Sequence, residues 1–426
     1  MVMIGKVRDG MLSLKGNMRD CELPISNCKL SGKLAAFTLA ISLIVMIVIP
    51  STAAAQPAAT YREAVEALYN LDFSIAEAGF NNLIKQDEGN PQYWNGLAST
   101  IWLKIIYDQQ KLNSDSYSGS SIGTFSSGDS IDPAQEKRLR DTVATAIAKA
   151  QVILKKNPND IRALYAMGVA NSTLAAFEGI AKRSYRSALG DAKTARKYHM
   201  QVLRLDPNFH DANLSIGTYD YGVGVIPAFF RLVLGIFGVS GAGKEEGIRK
   251  LQLAAAKGNY ASTDAKIILI VFYNREKRYE ESLKLIDELL AKYPRNFQLE
   301  LEKAAVYDKM KNYNAALVTY RHILGKIQAK QNGYERLREE RVYFGMGQSN
   351  VYSLQLDNAV DSFNHVVRSG KATPGEKGEA HLWLGKIYDS RNERSKAVEQ
   401  YNAVLKVDCS EETKDAAKGF LRKPFK

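Results

Sequence analysis

Small and large apolar residues recur along the chain with a helical spacing. In the stretch RYEESLKLIDELLAKYPRN, Ser282 is followed by Ile286, Leu289 and Pro294 at offsets of +4, +7 and +12. A small residue with large apolar residues four and seven positions later makes one stripe on a helix, and the proline ends that helix and opens the next. Full copies of this spacing begin at Ala146 and Ala195, and weaker copies without the proline begin at Ala76, Gly247, Ala316, Ala359 and Ala397.

A partner helix is predicted upstream of each small residue. Its markers are Trp94–Leu97, Met167-Gly168, Ile216-Gly217, Met346-Gly347 and Leu384-Gly385. The joints between the two helices are polar, as at 274–278 and 308–312, and the interval from Ser282 to Ala316 is 34 residues. The small residues are needed because two antiparallel helices approach closely there.

This organisation resembles the tetratricopeptide repeat (TPR) family. The resemblance covers about residues 58–410, with roughly eight helix pairs at a period of about 34 residues. It implies an all-α fold, a right-handed superhelix of about eight TPR-like antiparallel helix pairs. Residues 411–426 are predicted to form a capping helix, over 414–421, and a tail that covers the open end of the array.

Two segments interrupt the period within the predicted solenoid of residues 56–410, and a milder lengthening lies at Ala175–Gly190. Residues 112–131 are rich in serine and glycine and are predicted to form a loop between the two helices of the second pair. An apolar insert covers residues 222–243. Its part from Val223 to Val239 contains PAFFRLVLGIF, about eleven residues or ~16 Å of helix, which is too short to span a bilayer.

The insert has two open interpretations. It is either a helix packed into the solenoid or a hairpin that contacts a membrane interface or a partner through Phe229, Phe230, Arg231 and Phe237. The layout resembles the inclusion-body clearance protein of yeast mitochondria and its animal relatives, whose matching residues here are Gly222, Pro227, Phe237-Gly238, Gly241 and Gly247-Ile248-x-x-Leu251. This resemblance implies a TPR solenoid that works near a membrane without catalysis.

The same insert ends in a glycine-lysine pattern that imitates a phosphate-binding loop. From Gly238 to Lys244 the spacing is G-x-x-x-x-G-K, but Glu245 stands where a magnesium-binding hydroxyl is required. A carboxylate there would repel phosphates, so a nucleotide-binding enzyme is the disfavoured alternative. The favoured interpretation is a flexible turn followed by a helix whose first-turn acids, Glu245 and Glu246, complement its dipole.

Residues 1–55 are predicted to be a signal peptide. Sixteen apolar or small residues, 34–49, follow basic residues, and Ala53-Ala54-Ala55 predicts cleavage before Gln56. An uncleaved anchor is the alternative. The chain is therefore expected to be exported, in the periplasm or cell envelope of a bacterium, with membrane anchoring as the variant. Downstream of this leader only Cys409 remains, so no disulfide framework is expected.

The sequence predicts binding rather than catalysis. None of the five histidines has metal-ligand spacing, no G-x-S-x-G turn occurs, and no cofactor is expected. The mixed cluster RLREER, 336–341, is interpreted as a solvated face, so nucleic-acid binding is not expected. The function predicted is an exported scaffold that binds a protein or peptide partner, with a membrane-associated assembly factor as the alternative. The predicted concave lining comprises Asn95, Ser99, Arg162, Tyr165, Arg341, Phe344, Gln348 and Lys386.

Overall fold

The computed structural model describes residues 60–109, 131–227, 235 and 239–426, and within these ranges all regular structure is helical. The α-helices described, in chain order, are α1 (Tyr61–Tyr69), α2 (Phe73–Gln86), α3 (Pro91–Asp108), α4 (Pro133–Lys156), α5 (Ile161–Ala176), α6 (Tyr185–Leu205), α7 (Asn213–Gly224), α8 (Lys244–Lys257), α9 (Ser262–Arg275), α10 (Tyr279–Lys292), α11 (Phe297–Lys309), α12 (Tyr313–Gln328), α13 (Glu339–Tyr352), α14 (Leu356–Arg368), α15 (Pro374–Ser390), α16 (Arg394–Lys406) and α17 (Glu411–Arg422).

Successive helices pack as pairs, from α1 with α2 to α15 with α16, which confirms the eight predicted pairs and the all-α TPR-like fold. The last helix, α17, packs on α15 and α16 through Ala417 and Phe420. It is the predicted cap, and it is longer than expected at each end. Ser410 begins it by accepting a hydrogen bond from the Thr413 amide, which satisfies one of the free donors of a helix start.

Five of the pairs share one tight turn between their helices. Its central residue adopts a left-handed backbone conformation with φ between 59° and 65°, and it lies five positions before the small residue of the repeat. The residue after it closes the turn, as when the Arg278 amide donates to the Tyr273 carbonyl at 2.7 Å. This is a Schellman-type helix end, which satisfies otherwise free carbonyls. The five central residues are Leu71, Lys277, Lys311, Leu354 and Asn392.

The small residues of the repeat allow close helix contacts. Ala76, Ala316, Ala359 and Ala397 are fully buried, as the spacing predicted. Across the pair, a Cβ atom placed on Gly385 would lie 2.3 Å from the ring of Tyr401. Such an overlap is far inside van der Waals contact, so this helix pair requires a glycine there.

In the pair that flanks the insert, the backbones of the two helices approach each other directly. A Cβ on Gly247 of α8 would lie 2.6 Å from the backbone nitrogen of Tyr221 in α7. A Cβ on Gly217 would lie 2.7 Å from the Gly247 carbonyl. Leu251 and Ile248, the other residues of this motif, are buried in the adjoining core. The "G-I-x-x-L" motif therefore allows the close crossing of α7 and α8.

The first pair also packs against pairs that are distant in sequence. One apolar cluster joins Leu68, Leu71 and Phe73 to Phe297 and Tyr334. The first pair thus contacts the sixth pair directly, although the two are more than 200 residues apart in the sequence. None of the described helices is long and apolar enough to cross a membrane.

Candidate partner-binding surface

Two of the predicted lining residues lie inside the protein. Asn95 is 1% exposed, and its side-chain amide donates to the Ala166 carbonyl at 3.0 Å. Tyr165 is 5% exposed and lies 5.0 Å from Phe209, measured between ring centroids. Both side chains are enclosed by neighbouring helices, which does not fit the predicted contact with a partner. The spacing placed them on first helices correctly but did not reveal that these two positions are covered.

The other two N-terminal lining residues keep some access to solvent. Arg162 is exposed at the start of α5, and Ser99 is partly buried in α3. Their contact with a partner stays a prediction.

The turn between α1 and α2 makes polar contacts with segments far along the chain. The side-chain amide of Asn296 donates to the Tyr69 carbonyl at 2.7 Å, although the two residues are 227 positions apart. The Arg295 amide donates to the Asn70 side chain at 3.1 Å. Asp72 accepts ion pairs from Arg295 and from Arg336, the latter at 2.7 Å. These contacts fasten the first pair to the sixth and to the segment that precedes the seventh.

Titratable groups inside this region have shifted pKa values. The Tyr69 hydroxyl donates to Asp264 at 2.6 Å, and burial raises the pKa of Asp264 to about 6. Burial lowers the pKa of His199 to about 4, so its ring is neutral at physiological pH. Because His199 Nε2 lies 3.1 Å from the Tyr165 carbonyl, Nε2 is the protonated nitrogen and Nδ1 accepts from Ser215. These shifts follow from enclosure and are accounted for by internal contacts.

A small basic cavity lies where this inner face ends. Its volume is about 170 Å³. It is lined by Tyr107, Asp108, Phe297, Gln298, Arg336, Leu337, Arg338 and Arg341. Three arginines from the cluster RLREER therefore converge on one cavity, which corrects the interpretation of this cluster as a solvated face. The signal available in the sequence was the arginine spacing, but the opposite wall comes from α3 and α11.

The three guanidinium groups have different partners. Arg338 makes a paired contact with Glu376, at 2.7 and 2.8 Å, and also donates to the Lys371 carbonyl. Arg336 is bound to Asp72. Among the residues that the structure describes, no carboxylate or carbonyl accepts from the Arg341 guanidinium. Burial, and secondarily the charge of Arg338, lower the pKa of Arg341. Arg341 is thus a partly buried cation that has no ion-pair partner among the described residues.

The remaining predicted residues lie further along the array. Phe344 packs edge-on against Phe363 with ring centroids 5.6 Å apart, and Gln348 is partly exposed on the same helix. Lys386 Nζ lies 4.7 Å from the centroid of Trp383, with Phe420 and Phe425 also in cation–π range. Burial lowers the pKa of this lysine. Lys386 is therefore half-buried among aromatic rings of its own helix and of the C-terminal segment, and its contact with a partner stays a prediction.

The glycine-lysine stretch has a structural role in this fold. Gly243 has φ +98° and precedes α8, whose first residue is Lys244. The Lys244 amine donates to Glu276 at 2.7 Å, and the Tyr221 hydroxyl donates to the same carboxylate at 2.8 Å. The lysine that would contact phosphate is thus engaged in holding α8 to the next pair. This arrangement supports the turn-and-helix interpretation over a phosphate-binding loop.

Several predictions concern residues outside the described ranges. They are the leader 1–55, nearly all of the serine- and glycine-rich loop, and the contact residues Phe229, Phe230, Arg231 and Phe237. The hypotheses for these segments stay predictions. Across 60–109, 131–227 and 239–426, no group of three or more histidine, cysteine or acidic side chains is placed to hold a metal ion.

The family of the chain follows from a sequence match. The profile of the family described as Iml2/Tetratricopeptide repeat protein 39 matches residues 148–372, which is just over half of the chain. The chain belongs to this family. The match includes the insert and the close crossing of α7 and α8, so the Iml2/Tetratricopeptide repeat protein 39 assignment agrees with the resemblance that the insert suggested. No curated protein matches the chain.

Solved structures similar to this member of the Iml2/Tetratricopeptide repeat protein 39 family are helical repeat proteins of low identity. Yeast Tom70 is 12% identical, with 85% of this chain and 87% of that chain covered and a TM-score of 0.36. A tetratricopeptide repeat protein from Parabacteroides merdae is 13% identical, with 85% and 97% covered and a TM-score of 0.30. The human IFIT1 dimer with m7Gppp-AAAA is 12% identical, with 84% and 82% covered and a TM-score of 0.38.

Proposed function

We propose that this protein is an exported, non-catalytic scaffold that binds a protein or peptide partner in the cell envelope. The TPR-type helical fold and the family assignment support a scaffold. The apolar leader over 34–49 and the small-residue site at 53–55 support export. A partner-binding role for a repeat array is a fold-level inference, so it requires a surface that can do the binding.

The proposal rests on a difference in exposure between two sets of predicted lining residues. Asn95 and Tyr165, on α3 and α5, are enclosed, whereas Arg341 and Gln348 on α13 remain partly exposed. Within the described residues, neither of these two side chains has a hydrogen-bond partner. A side chain with unused donors beside aromatic residues suits recognition of an extended peptide. The proposed binding surface is therefore the inner side of α13.

Site-specific photocrosslinking tests this surface. A photoreactive amino acid replaces Gln348 in the full chain, and a matched variant carries it at Val152, which is 54% exposed on α4. After irradiation in a bacterial host, we expect defined adducts with envelope proteins from position 348 and none from position 152. The same adducts from both positions, or none from either, would contradict a binding surface on α13.

Export is tested separately by the mass of the mature chain. Protein purified from the envelope fraction of the host should begin at Gln56. A chain that retains residues 1–55 and extracts only with detergent would indicate the anchored form. Recovery of the intact chain from the cytosol would contradict export.

A further inference from the structure

We propose that the cavity around Arg341 is an anion site that receives one acidic side chain of a peptide partner. This inference rests on the proposed scaffold function and specifies its ligand. It specifies that the ligand presents a carboxylate and that Arg341 binds this group.

The charge balance around the cavity leaves one cation without a partner. Asp72 is shared between Arg295 and Arg336, and Arg336 Nε also lies 3.7 Å from Glu335. A second carboxylate, that of Glu376, is committed to Arg338 in a paired contact. Of the three arginines, Arg341 is the one that makes no ion pair with a described carboxylate. An arginine that is partly buried without an anion costs free energy, which binding of an anion would recover.

The acid already in the cavity wall does not supply that anion. The Asp108 carboxylate lies 2.5 Å from the Lys104 amine, one turn earlier on α3. Its charge is thereby offset by its own helix. Glu376 attracts Arg341 through space and partly offsets the lowering of its pKa, but the Glu376 carboxylate is bound by Arg338.

The size and lining of the cavity limit the ligand. Its volume of about 170 Å³ lies well below the ~300–1,000 Å³ of pockets that enclose drug-sized molecules. This volume suits one side chain with a terminal carboxylate. The rings of Tyr107 and Phe297 offer apolar walls for a methylene stem, and the Gln298 amide offers a donor. A guanidinium group can bind a carboxylate through two parallel hydrogen bonds.

The location of the cavity favours a segment of peptide over a free small anion. Arg341 lies one helical turn from Phe344 and two turns from Gln348, and both of these residues are partly exposed on the same face of α13. An extended peptide that follows α13 would thus place an acidic residue at Arg341 while its neighbours contact the rest of that surface.

Fluorescence anisotropy with a defined probe tests the inference. The probe is a fluorescein-labelled peptide of alternating alanine and glutamate with an amidated end, and its comparator replaces each glutamate by glutamine. The full chain is compared with Arg341→Gln and with Arg321→Gln, which removes the same charge from an exposed position on α12. Arg321 controls for general attraction between an acidic peptide and a basic protein.

We expect the glutamate peptide to bind the parent chain and Arg321→Gln alike. Arg341→Gln should bind it roughly tenfold to a hundredfold more weakly, the range for a hydrogen bond to a charged group. The glutamine peptide should bind all three proteins weakly. Equal affinity of the two arginine variants, or no binding of the glutamate peptide to the parent, would overturn the inference. Neither result would affect the crosslinking result at position 348, so the two proposals fail separately.

A stability measurement separates binding from a structural role. Because Arg341 has no internal partner to lose, Arg341→Gln should melt no lower than the parent. Arg338→Gln, which removes the paired contact with Glu376, should melt lower. A decrease for Arg341→Gln as large as that for Arg338→Gln would overturn the inference by showing that Arg341 supports the fold.

Discussion

The turns of the first and seventh pairs have the same backbone conformation, but the first is buried and the seventh is exposed to solvent. Leu71 and Leu354 are the central residues of these turns, with φ values of 65° and 60°. Leu71 is 5% exposed and packs against the sixth pair, whereas Leu354 is 82% exposed. The local repeat therefore determines the backbone conformation of the turn. The packing of distant pairs determines whether the turn is buried or exposed.

The same comparison holds for charge. The acid after the first turn, Asp72, has a side chain that is 11% exposed and binds two arginines from distant pairs. An acid near the seventh turn, Asp357, has a side chain that is 93% exposed and forms an ion pair with Arg391 at 2.7 Å. An aspartate–arginine ion pair thus holds distant pairs together in one region and lies at the surface in the other.

Removal of Asp72 should give the largest effect. Asp72→Ala leaves Arg295 and Arg336 without their shared carboxylate, and we expect a loss of about 3 kcal/mol of unfolding free energy, the low end for breaking a buried pair because both arginines keep some exposure. Asp357→Ala is the control and should cost less than about 1 kcal/mol. Urea titration measures both. Similar losses for the two variants would mean that Asp72 does not fasten the first pair.

Glycine substitutions of the two leucines should give the next largest changes in unfolding free energy, with opposite signs. Leu354→Gly should raise the unfolding free energy by about 1 kcal/mol, because glycine relieves the left-handed conformation and little packing is lost. Leu71→Gly gains the same relief but loses a buried side chain, so a net loss of about 2 kcal/mol is expected. A gain at both turns in the same titration would contradict the burial of the first one.

Asp264 should give a smaller effect that depends on pH. Its pKa is about 6 in the folded chain against 3.8 as the ordinary value, so between these pH values the folded state holds a proton that the unfolded state has released. Its contribution to stability therefore falls as pH rises through this window. Asp264→Asn should remove that fall. We expect it to gain about 1 kcal/mol over the parent at pH 7.5, after allowing for partial exposure, and nothing below pH 4.

The measurement is urea unfolding of both proteins from pH 4 to 7.5. Taking the difference between them cancels His199, whose lowered pKa makes its contribution rise with pH between about 4 and 6.5. A variant that is less stable than the parent at pH 7.5 would show that the charged form of Asp264 is required.

The predicted lining could be placed on the correct helices but not given its exposure. The first-helix periodicity identified Arg341, Phe344 and Gln348 on α13, and it identified Asn95 and Tyr165 equally well. Nothing in the local pattern distinguishes the two sets. The arginine cavity was missed because Arg336 and Arg338 precede α13, and their opposite wall consists of Tyr107 and Phe297, far away in the sequence.

The sequence by itself determined the helices, their pairing, the close glycine contacts and the cap. These features depend on residues within about one repeat, where spacings of three, four and seven positions specify which side chains meet. Only the tertiary structure decided which inner faces are covered. The small rotations between successive pairs add up along the array and determine which distant pairs come into contact. Asn296 therefore contacts Tyr69, 227 positions away, although no local sequence pattern indicates this contact.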